Sequence, residues 1–229
     1  MSHTSVYAYV LHRRPFKETS YLVDLLTLEL GRIRCVIHSA RTQNKNKQIT
    51  EPFCRYMVHL SGKSDLKNAK IVEPIRAFQL PMGTSLYSGM YLNELLVRSE
   101  RQHQPNLDTF AAYEWALSEL AASTEPNKVL RHVELLLLSA HGFSVDFSRD
   151  SEGFPVENRF NYGFEPGRGF LRGREGCTGL IPGQTLVDLA QDLYNDAHKR
   201  VLTQICRQAL LPLVGHEPFK SRDLFKRYV

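Results

Sequence analysis

Over the first 80 residues, apolar and polar positions alternate with a period of two. Five short runs at 6–11, 21–27, 32–37, 55–60 and 71–78 are rich in β-branched and aromatic residues and are separated by Pro, Gly, Asn and Lys. Such runs predict strands, and five of them in so short a stretch predict a small barrel. In the third run Ile33, Cys35 and Ile37 alternate with Arg32, Arg34 and Val36, so one face is apolar and the other carries two guanidiniums. In the fourth, Tyr56, Val58 and Leu60 alternate with Arg55, Met57 and His59. Between the third and fourth runs, residues 39–48 hold no large apolar side chain and three cations, as an exposed basic loop would.

Beyond Pro81 the period changes to 3.6. Met90, Tyr91, Leu92, Leu95 and Leu96 predict a helix from 85 to about 101, and Phe110, Tyr113, Leu117, Leu120 and Ala121 predict a second. A third follows Thr124-Glu125-Pro126, an N-cap and first turn, and stops at Gly142, placed as a C′ glycine. This third helix has two stripes: Leu130, Val133, Leu137 and Ala140 on one side, Arg131, Leu135 and Leu138 on another. A helix apolar on two sides is either sandwiched in a core or offers a groove to a partner, and the residues alone favour the core. Residues 143–183 are loop-rich, with seven of the 14 glycines falling between 163 and 183, and predict irregular hairpins. Helical spacing returns with Leu186, Leu189, Ala190 and Leu193, and again with Val201, Leu202, Ile205 and Ala209 before Pro212. A short basic amphipathic element at 219–227 ends the chain. The expected architecture is therefore a multidomain α+β protein: a five-stranded barrel of the oligonucleotide-binding (OB-fold) type over 1–80, then a mainly α-helical domain over 81–229 that includes the glycine-rich segment 143–183.

Composition narrows the function. The 229 residues are 42% hydrophobic and 23% charged, which excludes a disordered or low-complexity chain. No apolar run approaches the roughly 18 residues of a membrane span, and Met1-Ser2-His3-Thr4 does not open a secretory signal, so a cytoplasmic location without membrane attachment is expected. The four cysteines, Cys35, Cys54, Cys177 and Cys206, are too scattered for a local zinc knuckle; a dispersed four-ligand site stays open, but buried thiols are favoured. Phosphate-loop, zinc-peptidase, nucleophile-elbow and calcium-loop motifs are all missing, and Gly167-Arg168-Gly169 reads as a hairpin turn. The chain is expected to bind rather than to catalyse, with no catalytic residues.

The net charge of +5 is unevenly spread: residues 1–80 carry +7 and residues 81–229 carry −2. Segregated positive charge on a small barrel points to nucleic acid. Arg13, Arg14, Lys17, Arg32, Arg34, Arg41, Lys45, Lys47 and Arg55 are the candidate phosphate contacts, and Tyr9, Phe16 and Tyr56 the candidate base-stacking partners. Charge does not separate DNA from RNA, so an RNA-binding barrel stays open as an alternative, as does an enzyme with a dispersed site in the glycine-rich segment.

Several segments resemble one family. Arg14-Pro15-Phe16-Lys17-Glu18-Thr19-Ser20 is similar to the signature after the first strand of RecO, the bacterial DNA repair and recombination mediator. Gly31-Arg32-Ile33-Arg34, Ala40-Arg41 and Pro52-Phe53 follow in the family's order, as does Leu86-Tyr87-Ser88-Gly89-Met90-Tyr91-Leu92-Asn93-Glu94-Leu95, the most specific match. Arg131-His132-Val133-Glu134-Leu135, Gly142-Phe143 and Lys220-Ser221-Arg222-Asp223-Leu224-Phe225 complete the series. The resemblance implies a non-enzymatic, nucleoid-associated protein of the RecF pathway. Such a protein binds single- and double-stranded DNA, anneals strands coated by single-stranded-DNA-binding protein, and works with RecR to load RecA. It also implies recognition of that binding protein's acidic, phenylalanine-ending tail, with Arg131 pairing a carboxylate and Leu135 and Leu138 lining an apolar pocket, which reverses the core reading of the second stripe. Two departures stand out. The four-cysteine zinc site of some members is reduced here to Cys177, so neither a metal nor a cofactor is expected, and Ser39 replaces the usual glycine before the Ala-Arg pair.

Overall fold

The computed structural model describes residues 4–38, 50–122, 125–173 and 179–226. They form two compact units, one of residues 1–130 with 217–229 and the other of residues 131–216. Among the described residues no helix is long and apolar enough to cross a membrane.

In the first unit, five strands, β1 (Thr4–Phe16), β2 (Ser20–Thr27), β3 (Gly31–Ile37), β4 (Cys54–Ser61) and β5 (Lys67–Ala77), close into a barrel of order β1-β2-β3-β5-β4. All neighbours are antiparallel except β3 and β5, which run parallel over three residue pairs. The alternation read from the sequence sets the faces: Ile33, Cys35 and Ile37 of β3 and Tyr56, Val58 and Leu60 of β4 point into the barrel, where they meet Val6, Ala8 and Val10 of β1 and Val23 and Leu25 of β2. Burial of these side chains is the main force closing the barrel. The strands start earlier or end later than the apolar runs, because ladder pairing carries β1 through the polar Arg13-Arg14-Pro15 to meet β2 as far as Ser20.

Helices α1 (Thr84–Ser99) and α2 (Leu107–Ala122) cover one side of the barrel. Tyr9, on the outward side of β1, packs edge-on against Tyr113 (5.1 Å between ring centroids) and tilted against Phe110 (5.6 Å). The Tyr113 hydroxyl donates to Asn93 of α1 at 2.6 Å, satisfying a phenol whose burial raises its pKa well above the usual value. The connection between the two helices is fastened to the start of β3. His103 N–H donates to the Arg32 carbonyl at 2.9 Å, and Gly31, at φ +68°, leaves no room for a Cβ, which would run into the Gln104 carbonyl.

The C-terminal residues return to α1. Glu94 accepts hydrogen bonds from the backbone N–H groups of Lys220 (2.9 Å) and Ser221 (2.8 Å) and from the Ser221 hydroxyl (2.7 Å), just ahead of α6 (Arg222–Lys226). Tyr91 packs tilted against Phe219 and Tyr87 edge-on against Phe225, while Arg98 lies over the Phe219 ring at 4.3 Å and donates to the Glu217 carbonyl.

α3 (Pro126–Ala140) starts in the first unit and continues into the second. It ends in a Schellman motif: Gly142, at φ +78°, donates to Ser139, and Phe143 donates to Leu138. The second unit adds a three-stranded sheet of order β7-β6-β8, made of β6 (Asn161–Glu165), β7 (Gly169–Arg172) and β8 (Ile181–Pro182), with helices α4 (Gly183–Ala190) and α5 (Asp196–Val214). The Gly167 segment is the β6–β7 hairpin turn. Tyr162, Phe170, Ile181, Leu186 and Ile205 make this unit's core. α5 runs two residues past Pro212, which has no N–H to give the carbonyl four residues back and so removes one hydrogen bond from the last turn.

Burial alone would raise the pKa of Glu94, but the hydrogen bonds from Ser221 and Lys220 and the Arg98 charge hold it below the usual carboxylate range. A depressed carboxylate contributes stability above its unfolded value of about 4.3, and that stability is lost as pH falls through the folded value. Protection of the amides of residues 217–226, measured against their intrinsic exchange rates, should therefore fall below about pH 4 in the wild type. In Glu94→Gln it should be low throughout and lack the acid step.

Candidate nucleic-acid interface

The outward side of β3 does not present two free guanidiniums. Asp24 of β2 lies opposite Arg34 in the ladder and is 5% exposed. Its Oδ1 accepts from Arg32 Nη1 at 2.7 Å and from Arg34 Nε at 3.2 Å. Arg32, itself buried, spends its Nε on the Glu100 carbonyl at 2.9 Å. Arg32 is thus an internal clasp between the barrel and the α1–α2 connection, and Arg34 is tied to the same carboxylate although part of its side chain reaches solvent. Cys35, wholly buried behind this pair, has its thiol pKa pushed up to about 12, by burial first and by the Asp24 charge second, so it is inert. Cys54 and Cys206 are buried as well, while Cys177 lies outside the described residues.

Arg55 is also engaged. Its Nη1 meets both carboxylate oxygens of Glu114 on α2, at 3.0 and 3.1 Å, and Arg76 of β5 approaches the same carboxylate at 3.6 Å. Two of the candidate stacking rings are core residues: Tyr9 lies under α2 and Tyr56 faces the barrel interior, where neither can meet a base. Outward alternation in a strand marks solvent only when nothing packs on that side, and here α1, α2 and the α1–α2 connection do.

The cations that remain gather at the β1–β2 hairpin. Arg14 and Lys17 are exposed, and Arg14 forms no ion pair among the described residues. Lys17 sits at φ +52° in the turn, with its ammonium 5.5 Å from the ring centre of half-buried Phe16. Arg13 is 38% exposed at the side chain. It donates to the Thr50 carbonyl and hydroxyl, stands 5.4 Å over the ring of Tyr21 and approaches Glu51 at 3.7 Å. Phe16 and Tyr21 therefore flank the exposed cations, and Tyr21, the first residue of the 21–27 run, was not among the candidate stacking partners. Arg41, Lys45 and Lys47, with Ser39, lie outside the described residues.

On α3, in the second unit, Arg131 is 8% exposed and bonds Glu134 at 2.7 Å, and Glu134 is almost fully buried. Leu138 is fully buried, and Leu135, half-buried, packs with Leu189, Leu202 and Cys206. Of the second stripe, Arg131 and Leu138 are therefore buried, while part of Leu135 stays exposed. Among the described residues no group of three or more His, Cys, Asp or Glu could hold a metal ion.

Two family models divide the chain between them: recombination protein O N-terminal over residues 1–78, which takes in the barrel, and recombination protein O C-terminal over residues 82–223. The chain belongs to the RecO family. Relatives named DNA repair protein RecO are similar over nearly the whole length. The one from Alteromonas mediterranea is 39% identical, covering 95% of this chain and 95% of its own. That from Cellvibrio japonicus is 37% identical over 95% and 94%, and that from Haemophilus influenzae 36% over 96% and 95%. RecO membership gives a new sense to Gly31-Arg32-Ile33-Arg34, which the structure uses to fasten β3 to Asp24 and to the α1–α2 connection. It does the same for the long helix signature, whose Asn93 and Glu94 hold α2 and the C-terminal residues.

Removing one partner of a buried charge pair leaves the other uncompensated, at a cost of about 3–5 kcal/mol. Asp24→Ala should therefore lower unfolding stability in denaturant by that order, whereas Arg14→Ala should leave it within about 0.5 kcal/mol of the wild type.

Proposed function

We propose that this RecO-family chain is a DNA repair and recombination mediator of the RecF pathway. It binds single- and double-stranded DNA, anneals complementary strands coated by single-stranded-DNA-binding protein, and with RecR promotes the loading of RecA. The observation that carries this reading is the β1–β2 hairpin, where Arg13, Arg14 and Lys17 are exposed beside Phe16 and Tyr21 on a closed five-stranded barrel. Cations neutralise phosphates and release counterions, while rings next to them stack on bases without regard to sequence. Arg41, Lys45 and Lys47 add charge in the segment joining β3 to β4. Arg32 and Arg55 act behind this surface, holding the barrel and its helices in shape, and Arg34, tied to Asp24, still reaches solvent. Annealing needs two strands brought together with their repulsion screened and no bond chemistry, so no catalytic group or cofactor is required. The work belongs in the cytoplasm at the nucleoid.

The acidic tail of single-stranded-DNA-binding protein is assigned to α3. Arg131 supports this, because its Nε finds no hydrogen-bond partner among the described residues and a tail carboxylate would supply one. Leu135 lies beside it on the same stripe, and buried Leu138 packs beneath.

Annealing of complementary strands coated by the cognate binding protein should be accelerated without ATP. Arg14→Ala with Lys17→Ala should slow it and flatten the salt dependence of DNA affinity by about two counterions. No acceleration over the spontaneous rate, or a clear preference for RNA of matched sequence, overturns the reading. Arg131→Lys keeps the charge beside Glu134 but loses the planar donors, and it should weaken binding of the isolated tail peptide about tenfold while sparing naked DNA. Equal loss of both would break the assignment.

A further inference from the structure

The β5 strand leaves the barrel wall. Its parallel pairing with β3 stops at Ala69, yet it continues on β4 as far as Ala77. From Val72 to Ala77 it has no second strand beside it among the described residues. Two irregularities break its register with β4, and the residues left without a partner there are Val72 and Ile75. Both are exposed, at 44% and 39%, although both are branched apolar side chains. Next to them lies a groove of about 440 Å³ whose lining includes Cys54, Tyr56, Val72, Pro74 and Phe78, with Glu51 and Glu73 also on its wall.

We infer that this edge of the barrel takes an extended segment of a partner protein, in which basic side chains alternate with apolar ones. An open strand edge supplies main-chain hydrogen bonds to a guest strand, and alternate guest side chains enter the neighbouring groove. Charge selects the guest. Arg76, the cation on this stretch, is taken by Glu114 at 3.6 Å and lies over the Phe78 ring at 4.4 Å. Glu73 forms no ion pair among the described residues, and Glu51 has only the long approach of Arg13. The groove is acidic and apolar, which repels a phosphate backbone and suits a guest carrying Lys or Arg beside Val, Ile or Leu. Pro74 interrupts the row of donors, so a guest pairs over a short register and its side chains supply the rest of the specificity. Glu51 on the groove wall adjoins Arg13 of the β1–β2 hairpin, whereas Glu73 and Ile75 belong to β5 alone, so substitutions at these two distinguish failure here from failure of DNA binding.

The test uses the full chain and labelled hexapeptides, one alternating Lys with Val and one alternating Glu with Val, followed by fluorescence anisotropy and by amide shifts of the ¹⁵N-labelled protein. The Lys-Val peptide should bind and shift the amides of residues 72–77, and Glu73→Lys and Ile75→Asp should each weaken it about tenfold while oligothymidine binding stays unchanged. The Glu-Val peptide should not bind. Equal affinity for both peptides, affinity indifferent to both substitutions, oligothymidine shifting the same amides, or self-association of the chain abolished by Ile75→Asp would each overturn the inference.

Discussion

One carboxylate holds the first unit together. Asp24 is buried between two arginines, and a buried charge is tolerated only when it is paired and its lone pairs are used. Arg32 carries that pairing further, because its Nε–H ends on the Glu100 carbonyl at the close of α1. The backbone adds His103 to Arg32, and the close approach of Gly31 to Gln104 permits it. From this point the placement of α2 follows, since it begins a few residues later and packs Phe110 and Tyr113 onto Tyr9 of β1. Glu114, one residue on, then reaches Arg55 and Arg76.

This arrangement changes the meaning of the charge on residues 1–80. The excess of +7 is a property of the chain, but what a polyanion meets is the charge that internal carboxylates leave unpaired. Three of the arginines, Arg32, Arg34 and Arg55, are held by Asp24 and Glu114. One of those acids, Glu114, lies beyond residue 80, so a helix supplies part of the barrel's counter-charge. Of the candidate cations among the described residues, those left exposed are consequently Arg13, Arg14 and Lys17 at the β1–β2 hairpin, with Lys63 and Lys70 exposed elsewhere on the barrel. The opposite character of the β5 edge, apolar with Glu51 and Glu73, comes from the same selective pairing, because Arg76 is drawn to Glu114.

The segments that resemble RecO were legible as a family signature before their physical task was. The long helix match marks α1, but the reason for its Asn93 and Glu94 appears only with α2 and the C-terminal residues in place. No spacing rule links Glu94 to Ser221 across more than a hundred residues. The Gly-Arg-Ile-Arg segment likewise read as a basic strand face, and its glycine and first arginine turn out to serve contact with residues 100–104.

The sequence by itself determined the five barrel strands, their inward faces, the helices and the glycine that ends α3, because each depends on neighbours two to four residues apart, whose side-chain directions the backbone geometry dictates. It also carried the family. Only the tertiary structure decided which cations remain available, that Tyr9 and Tyr56 are core rings, and that Arg131 and Leu138 are buried within the second unit. Those outcomes depend on what packs against the second side of a strand or helix. A covering helix or a distant carboxylate converts an outward arginine into an internal clasp, and its identity is set by contacts that no local periodicity encodes.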